Sequence, residues 1–177
     1  MDTNRLKISE MTEVDLKDVL AIERFSFPIP WNEEMFKSEL YLDFAHNFTG
    51  KLNSSGNGDI LVSYICSWLF HGEAHILNIA VHPDYRRMGL GTHLMRFFCD
   101  FCLAMKVKTI ILDVRISNHP AIKMYRKMGF RKLGLRPRYY ADNGEDALIM
   151  GLKLNGRRRL REKCNCRSTG RSTSSRS

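Results

Sequence analysis

The amino-acid sequence predicts an α/β protein in which a mixed sheet carries helices on both faces. Three observations predict this fold class. Two helical patterns open the chain, three antiparallel strand candidates follow them, and helices then alternate with strands before a final hairpin. The 177 residues are 44% hydrophobic, which suffices for one domain with a substantial core.

The first part of the chain predicts two helices. A capping-box pattern at Thr12 and Asp15 is followed by apolar residues at helical spacing, so a helix begins there. The stretch FPIPW ends that helix, and Asn32 is suited to cap a second, shorter one. Strand candidates then cover roughly residues 44–52 and 60–70, around the turn signal LNSSGNGD.

The second part predicts alternating strands and helices. AHILNIAV reads as a buried strand, a long helix runs from about Gly91 to Met105, and KTIILDV is the next strand. HPAIKMYRKMG predicts a helix with Pro120 in its first turn and Gly129 at its end. FRKLGL and DALIMGLKL predict a final hairpin around the loop RPRYYADNGE.

The net charge of +9 is concentrated at the C-terminus. Residues 155–177 hold eight basic residues and one acid, which leaves +2 for residues 1–154. We predict a folded domain over residues 1–154 and a basic, Ser- and Arg-rich disordered tail over residues 155–177. Two interpretations of the tail stay open: weak electrostatic contact with RNA, or a solvated extension, since no aromatic residues interleave with the arginines.

Composition also predicts the compartment. No apolar run reaches the length of a membrane span, and the N-terminal stretch MDTNRLKISEM lacks the apolar core of a signal peptide. The five cysteines show no second Cys or His pair at familiar zinc spacing. We therefore expect a cytoplasmic protein with reduced thiols, no bound metal and no membrane contact.

Gly89 and Gly91 lie between a strand and a helix, where they predict an anion site. Unpaired N–H groups and the positive end of the helix dipole suit a phosphate, and Arg86 and Arg87 add charge beside it. A dinucleotide fingerprint would need a third glycine at Leu94, and the Gly-Lys-Ser/Thr of a P-loop is absent. The glycine pair alone is also compatible with a tight turn and no ligand.

The surrounding motifs resemble those of the GNAT acetyltransferase superfamily. NIAVHPDYRRMGLGTHLM is similar to its acetyl-CoA signature, Arg/Gln-x-x-Gly-x-Gly/Ala, and ISNHPAIKMYRKMGF resembles its next block. RYYADNGEDALIM is similar to the ending of N-terminal protein acetyltransferases. The resemblance covers about residues 78–150 and is strongest to RimI-type enzymes, which acetylate the N-terminal alanine of a ribosomal protein, with Ard1-type enzymes next.

This resemblance implies a GNAT fold whose two central strands splay apart to admit acetyl-CoA as co-substrate. It assigns the strand residues Ile79, Ala80 and Val81 to the pantetheine arm, and Asn118 to a further polar contact. Asn118 is equally suited to cap the helix that follows it. The segment implied to wrap the pyrophosphate consists of Arg87, Met88, Gly89, Leu90, Gly91 and Thr92.

The resemblance also implies two catalytic residues. Tyr125 occupies the position of the family's general acid, which returns a proton to the departing thiolate. Asp113, within the apolar run IILDV, stands where RimI-like enzymes have Glu, so we expect a bridging water between this shorter base and the amine. Pairing with Arg115 or a nearby hydroxyl is the structural alternative for Asp113.

For the acceptor, Tyr139 and Tyr140 match residues that line the peptide groove, and Trp31 is expected to wall the other side or to serve as a buried anchor. An α-amine, with a pKa of about 7.7–8.0 against about 10.4 for lysine, requires only a modest base. The sequence therefore predicts a peptide α-N-acetyltransferase of RimI type. A broader Ard1-type enzyme and a non-catalytic acetyl-CoA-binding or RNA-tethered adaptor are the alternatives.

Overall fold

The computed structural model describes residues 6–54 and 58–154 of the chain. Within these ranges the chain forms four α-helices: α1 (Leu16–Ser26), α2 (Glu33–Leu40), α3 (Leu90–Ala104) and α4 (His119–Met128). Single 3-10 turns precede α1 and α3. Seven strands complete the described part: β1 (Leu6–Glu10), β2 (Phe48–Ser54), β3 (Gly58–Phe70), β4 (Glu73–Val81), β5 (Thr109–Arg115), β6 (Arg131–Tyr140) and β7 (Glu145–Lys153).

The seven strands form one sheet in the order β1-β2-β3-β4-β5-β7-β6. The pairing of β4 with β5 is parallel, and the other five neighbouring pairs are antiparallel. Helix α3 forms the crossover between the two parallel strands, as such a connection requires. The predicted mixed α/β fold is confirmed.

The two parallel strands separate halfway along their length. Residues Glu73–Ile76 of β4 pair with Thr109–Leu112 of β5, but β4 continues to Val81 and β5 to Arg115 without further pairing. A bulge at Leu77 of β4, opposite Cys66 and Ser67 of β3, shifts the register on the other side of β4 just where this happens. The opening beyond the last pair, hereafter the β4–β5 gap, confirms the predicted splay.

Apolar residues cover both faces of the sheet. On one face, α3 and α4 bury Leu94, Phe98 and Tyr125 against strand residues of the main core. On the other face, α1 and α2 pack Ile22 and Phe36 against β3 in a second cluster. The helical spacing in the sequence produces this arrangement because every third or fourth side chain turns toward the sheet.

The structure differs from the predicted elements at three strands. Strand β1 was missed because LKISE offers only two apolar residues in alternation, although Leu6 is buried. The strand predicted from Phe44 begins at Phe48 instead. The predicted loop after Leu135 continues as β6 to Tyr140, and its sequence hid this because β6 is an exposed edge strand without alternating burial.

The predicted tail over residues 155–177 lies outside the described residues, as do residues 55–57 of the predicted turn. No helix within the described ranges is long and apolar enough to cross a membrane. Cys66, Cys99 and Cys102 are buried free thiols, and burial raises the pKa of each.

Candidate active site

The predicted pantetheine strand lines one wall of the β4–β5 gap. Ile79, Ala80 and Val81 pair with β3 along one edge of β4. Their other edge faces the gap, because β5 has left β4 after Ile76. Backbone N–H and C=O groups on an open strand edge can bind an extended, amide-bearing chain as they would another strand.

The turn between β4 and α3, where an anion site was predicted, is the N-terminus of α3. Gly89 caps α3 at φ 81°, and Arg87 has φ 66°, so both lie in the left-handed region. The N–H of His93 makes the helical bond to the Gly89 carbonyl at 3.0 Å, so the N–H groups earlier in the turn remain available. Leu90 anchors this turn because it is buried with Leu6 and Val62.

Gly91 lies at the start of α3 for a reason other than packing within the protein. A Cβ built there would lie 3.5 Å from Val81 Cγ2 and 3.6 Å from Met124 Sδ, which are ordinary van der Waals distances. The fold itself therefore accepts a side chain at this position. Close approach of a ligand to the backbone explains the glycine, so the residues of this turn fit the pyrophosphate of acetyl-CoA.

The substitution Gly91→Ala separates these two roles. We expect it to leave the free energy of unfolding unchanged or raise it by about 0.5 kcal/mol, because alanine is the better helix former. We expect the KM for acetyl-CoA to rise about tenfold, because the methyl group blocks the phosphate. Thermal denaturation and steady-state kinetics check this, and an unchanged KM would exclude ligand approach at Gly91.

Arg86 lies beside the turn and bonds only neutral acceptors. Its Nε donates to the Val81 carbonyl at 2.9 Å, and its Nη2 donates to Ser26 Oγ at 3.0 Å. The side chain thus ties the turn to β4 and to the end of α1 and keeps its positive charge. Arg87 is exposed and makes no ion pair within the described residues, so the charge predicted beside the anion site comes from both arginines.

Tyr125 lies on α4 and packs among core residues of α3 and β5. It is 4% exposed, and its ring packs against Phe130 at 5.5 Å between centroids. Burial raises the pKa of the Tyr125 phenol above its usual value, and the nearby Tyr140 phenol adds to the rise. A phenol with a raised pKa is fully protonated at neutral pH, so Tyr125 has a proton to donate.

Asp113 lies near the end of β5, on the opposite sheet face from its buried neighbours Leu112 and Val114. Its side chain is 24% exposed. The residue it contacts is neither Arg115 nor a hydroxyl, the structural alternatives: Arg136 Nε lies 3.3 Å from Oδ1 and 3.2 Å from Oδ2. Alternation along the strand turns this side chain away from the core.

Arg115, the partner expected for Asp113, fixes the β6–β7 turn instead. Its guanidinium binds Asp142 at 2.7 Å and Glu145 at 3.1 Å, and stacks 3.8 Å above the Tyr140 ring. Hydrogen bonds from Ser117, with a further one from Arg115, lower the pKa of Glu145 to about 2. The turn is therefore held by charged groups across the neutral pH range.

Tyr139 and Tyr140 end β6 beside Asp113 and contact each other edge to face at 5.2 Å. Tyr139 is 50% exposed, whereas burial raises the pKa of Tyr140 to about 12, with Arg115 opposing and Asp113 adding to that shift. Because Tyr140 also influences Tyr125, these side chains lie within electrostatic reach of one another. Arg136 lies against both Asp113 and Tyr139, which places these side chains on one face of the sheet, whereas Tyr125 packs with Leu112 and Val114 on the other face.

Trp31 and Asn118 occupy structural positions as well. The Trp31 ring packs against Phe36 at 5.3 Å beside the second core cluster, which is the arrangement of an anchor. Asn118 caps α4 by accepting a hydrogen bond from the Ala121 N–H at 3.2 Å. Their predicted contacts with substrate and acetyl-CoA stay predictions.

Sequence reasoning missed Glu23, which is fully buried on α1. Its carboxylate accepts hydrogen bonds from the Trp31 N–H at 3.0 Å, from Asn78 Nδ2 at 3.1 Å and from the Tyr64 hydroxyl. Burial raises the pKa of Glu23 in spite of these three donors. The carboxylate joins α1, the Trp31 loop and β4 at the wall of the gap opposite Asp113.

No cluster of three or more His, Cys, Asp or Glu side chains is arranged to hold a metal ion in residues 6–54 and 58–154. A pocket of about 500 Å³ lies elsewhere, on the surface of α4, and is lined by His119, Ile122, Lys123, Arg126 and Lys127. Met124, which lies near Gly91, is on a different side of α4. That pocket is therefore separate from the β4–β5 gap.

Comparisons with known proteins agree with this geometry. A Bacillus subtilis (strain 168) protein provisionally named a ribosomal protein bS18-alanine N-acetyltransferase is 38% identical over 149 residues, 84% of this chain and 95% of that protein. The ribosomal protein bS18-alanine N-acetyltransferase of Escherichia coli (strain K12) is 35% identical over 153 residues, 84% and 97% of the two chains.

Solved structures give the same result. The crystal structure of the Escherichia coli ribosomal-protein-S18-alanine N-acetyltransferase matches with a TM-score of 0.74 at 33% identity, over 84% of this chain and 93% of that one. Ard1 from Thermoplasma volcanium matches with a TM-score of 0.75 at 25% identity, over 85% and 99%.

The family model of the GNAT acetyltransferases matches residues 16–130, from the start of α1 to the end of the motif ISNHPAIKMYRKMGF. Members of this family use acetyl-CoA, so the predicted co-substrate is confirmed. The chain belongs to the GNAT family of acetyltransferases.

Proposed function

We propose that this enzyme transfers an acetyl group from acetyl-CoA to the N-terminal α-amine of a ribosomal protein that begins with alanine. The observation that carries the proposal is the β4–β5 gap, where the edge of β4 over Ile79, Ala80 and Val81 is open beside the glycine-capped N-terminus of α3. The names of the Bacillus subtilis and Escherichia coli relatives support the acceptor.

Each catalytic step then has a group in place. Acetyl-CoA supplies a thioester when bound. Asp113 accepts the proton that the amine loses as its nitrogen bonds to the acetyl carbon, and a water bridges the distance that the short side chain leaves. As the carbon–sulfur bond breaks, Tyr125 gives its proton to the thiolate. The turn over residues 87–92 holds the phosphates through backbone N–H groups.

An α-amine acceptor suits this modest base. About a tenth of free N-termini are already uncharged at neutral pH, whereas lysine would need a much stronger base. The half-exposed Tyr139 beside Asp113 offers a ring and a hydroxyl to the first residues of a peptide. A broader N-terminal acetyltransferase is the second candidate, favoured by the likeness to Ard1 from Thermoplasma volcanium.

The remaining proposals concern the whole chain. We place the acetyltransferase domain at residues 1–154 and assign the basic residues 155–177 a weak attraction to RNA. Ribosomal proteins are made in the cytoplasm, so the proposed reaction takes place there. Removing residues 155–177 should leave peptide acetylation intact, whereas an RNA-tethered adaptor would lose its partner.

Coenzyme A release with two peptides tests the proposal. One peptide begins with alanine and has a free N-terminus; the other has the same sequence with a blocked N-terminus and an added internal lysine. We expect rapid turnover of the first peptide alone. Turnover of the second alone would exclude α-amine acetylation and leave only the GNAT assignment. Equal turnover of peptides that begin with alanine and with other residues would favour the broader enzyme.

A further inference from the structure

Arg136 contacts the proposed base in an unusual way. One nitrogen, Nε, faces both oxygens of Asp113 at 3.3 and 3.2 Å, which is longer than a strong charge-assisted bond. The Arg136 side chain is 53% exposed, and its guanidinium lies 5.7 Å from the centre of the Tyr139 ring. Arg115, in contrast, is 20% exposed and binds two carboxylates at shorter distances.

The strand register explains how Arg136 reaches Asp113. Arg136 is paired with Ala147 of β7, while Asp113 is paired with Ile149 of the same strand. The arginine side chain therefore crosses β7 diagonally, over a position occupied by the small Ala147. The register thus places the Arg136 guanidinium beside Asp113 and Tyr139, on the face of the sheet where the proposed peptide would bind.

Other charged or titratable groups face Asp113 from every side of this groove. Arg115 lies two residues along β5, and Tyr139 and Tyr140 end β6. His75 lies on β4, paired with Ile111, and its Nε2 lies 3.4 Å from Glu73 Oε2. Of the two nearby arginines, Arg136 is the one whose charge is not already balanced by Asp142 and Glu145.

A free carboxylate beside a bound N-terminus would oppose the reaction. It would stabilise the α-ammonium form by ion pairing, and an opposite charge at such range raises the pKa of an amine by about 1 to 3 units. The ammonium form cannot attack the thioester, because its nitrogen has no lone pair. A guanidinium that already balances the carboxylate removes this effect.

We infer that Arg136 is a positioning residue that holds Asp113 and offsets its charge, so that the peptide α-amine binds in its uncharged, nucleophilic form. This inference rests on the proposed function. In this role Arg136 acts through Asp113. A requirement for charge balance also explains why the groove carries an exposed arginine next to an acceptor that is itself a cation in water.

The pH dependence of kcat with an alanine-starting peptide tests this inference. We expect Arg136→Gln to shift the acidic limb of the kcat–pH profile to higher pH by about one unit. The kcat at pH 7 then falls about tenfold, while the kcat at pH 9 stays within about twofold of wild type. Arg136→Lys should restore most of the wild-type profile. Arg138→Gln, which removes an exposed cation from the same strand, is the matched control and should leave the limb in place.

A double variant shows whether the effect passes through Asp113. In an Asp113→Asn background, Arg136→Gln should move the limb no further. An unshifted limb in Arg136→Gln, or an equal shift in the absence of the Asp113 carboxylate, would overturn the inference. If the wild-type enzyme does not acetylate the peptide at all, the proposed function fails instead, and the two failures are thereby distinguished.

Discussion

Replacing Tyr125 with phenylalanine is expected to lower kcat by about 100- to 1000-fold, because the thiolate then leaves without a proton from the enzyme. The KM for acetyl-CoA should change little, since the phenylalanine ring keeps the packing against Phe130. Steady-state coenzyme A release at saturating peptide measures both quantities. Tyr41→Phe, which alters a tyrosine that directly follows α2 and is 73% exposed, is the matched control and should retain wild-type activity.

The pH profile provides a second check on Tyr125. Burial raises the pKa of this phenol above its ordinary value of about 10, so its protonated, active form persists beyond pH 10. We therefore expect no basic limb from Tyr125 below that pH. Retention of more than a third of wild-type kcat in Tyr125→Phe would mean that another donor or water protonates the thiolate.

Replacing Glu23 with alanine is expected to lower the free energy of unfolding by about 3 to 5 kcal/mol. The substitution leaves the buried Tyr64 hydroxyl, the Asn78 amide and the Trp31 N–H without their common acceptor, and each unpaired buried group costs about 1 to 3 kcal/mol. A chain of this size should then melt about 10 °C lower. Thermal denaturation followed by circular dichroism measures the change.

The isosteric variant Glu23→Gln isolates the charge. It keeps an acceptor in place and should cost less than half as much as alanine. Burial raises the pKa of Glu23, so the folded state holds this proton more tightly than the unfolded chain does. As pH rises from about 4.3, the unfolded value, through the raised folded value, the wild type should lose stability relative to Glu23→Gln. A difference independent of pH would show that Glu23 is not buried as a carboxylate.

The sequence predicted the parts of the fold that carry strong periodicity or a dense motif. Helices α3 and α4 are bounded by glycines that local geometry requires, namely Gly89 and Gly129 at φ 81° and 100°. Strand β1 was missed because five residues with two apolar side chains are too short for periodicity to identify. The prediction ended strand β6 too early, at Leu135, because an exposed edge strand has no buried face that would show as alternating apolar residues.

The candidate site was predictable where a side chain acts alone, and less so where it depends on a partner. The Asp113–Arg136 contact joins residues 23 positions apart, and only the β5-β7-β6 order brings them together. Glu23 did leave a signal. It follows Leu16, Val19 and Leu20 at helical spacing, so it lies on the buried face of α1, where a charged residue needs partners.

The most direct test of acetyl transfer to an α-amine is the position of the acetyl group in the product. The enzyme would be incubated with isotope-labelled acetyl-CoA and a single peptide that has an N-terminal alanine and an internal lysine. Tandem mass spectrometry then locates the label. We expect it on the N-terminal nitrogen alone, with none on the enzyme. Label on the lysine side chain with an unmodified N-terminus would contradict the proposed function of the β4–β5 gap.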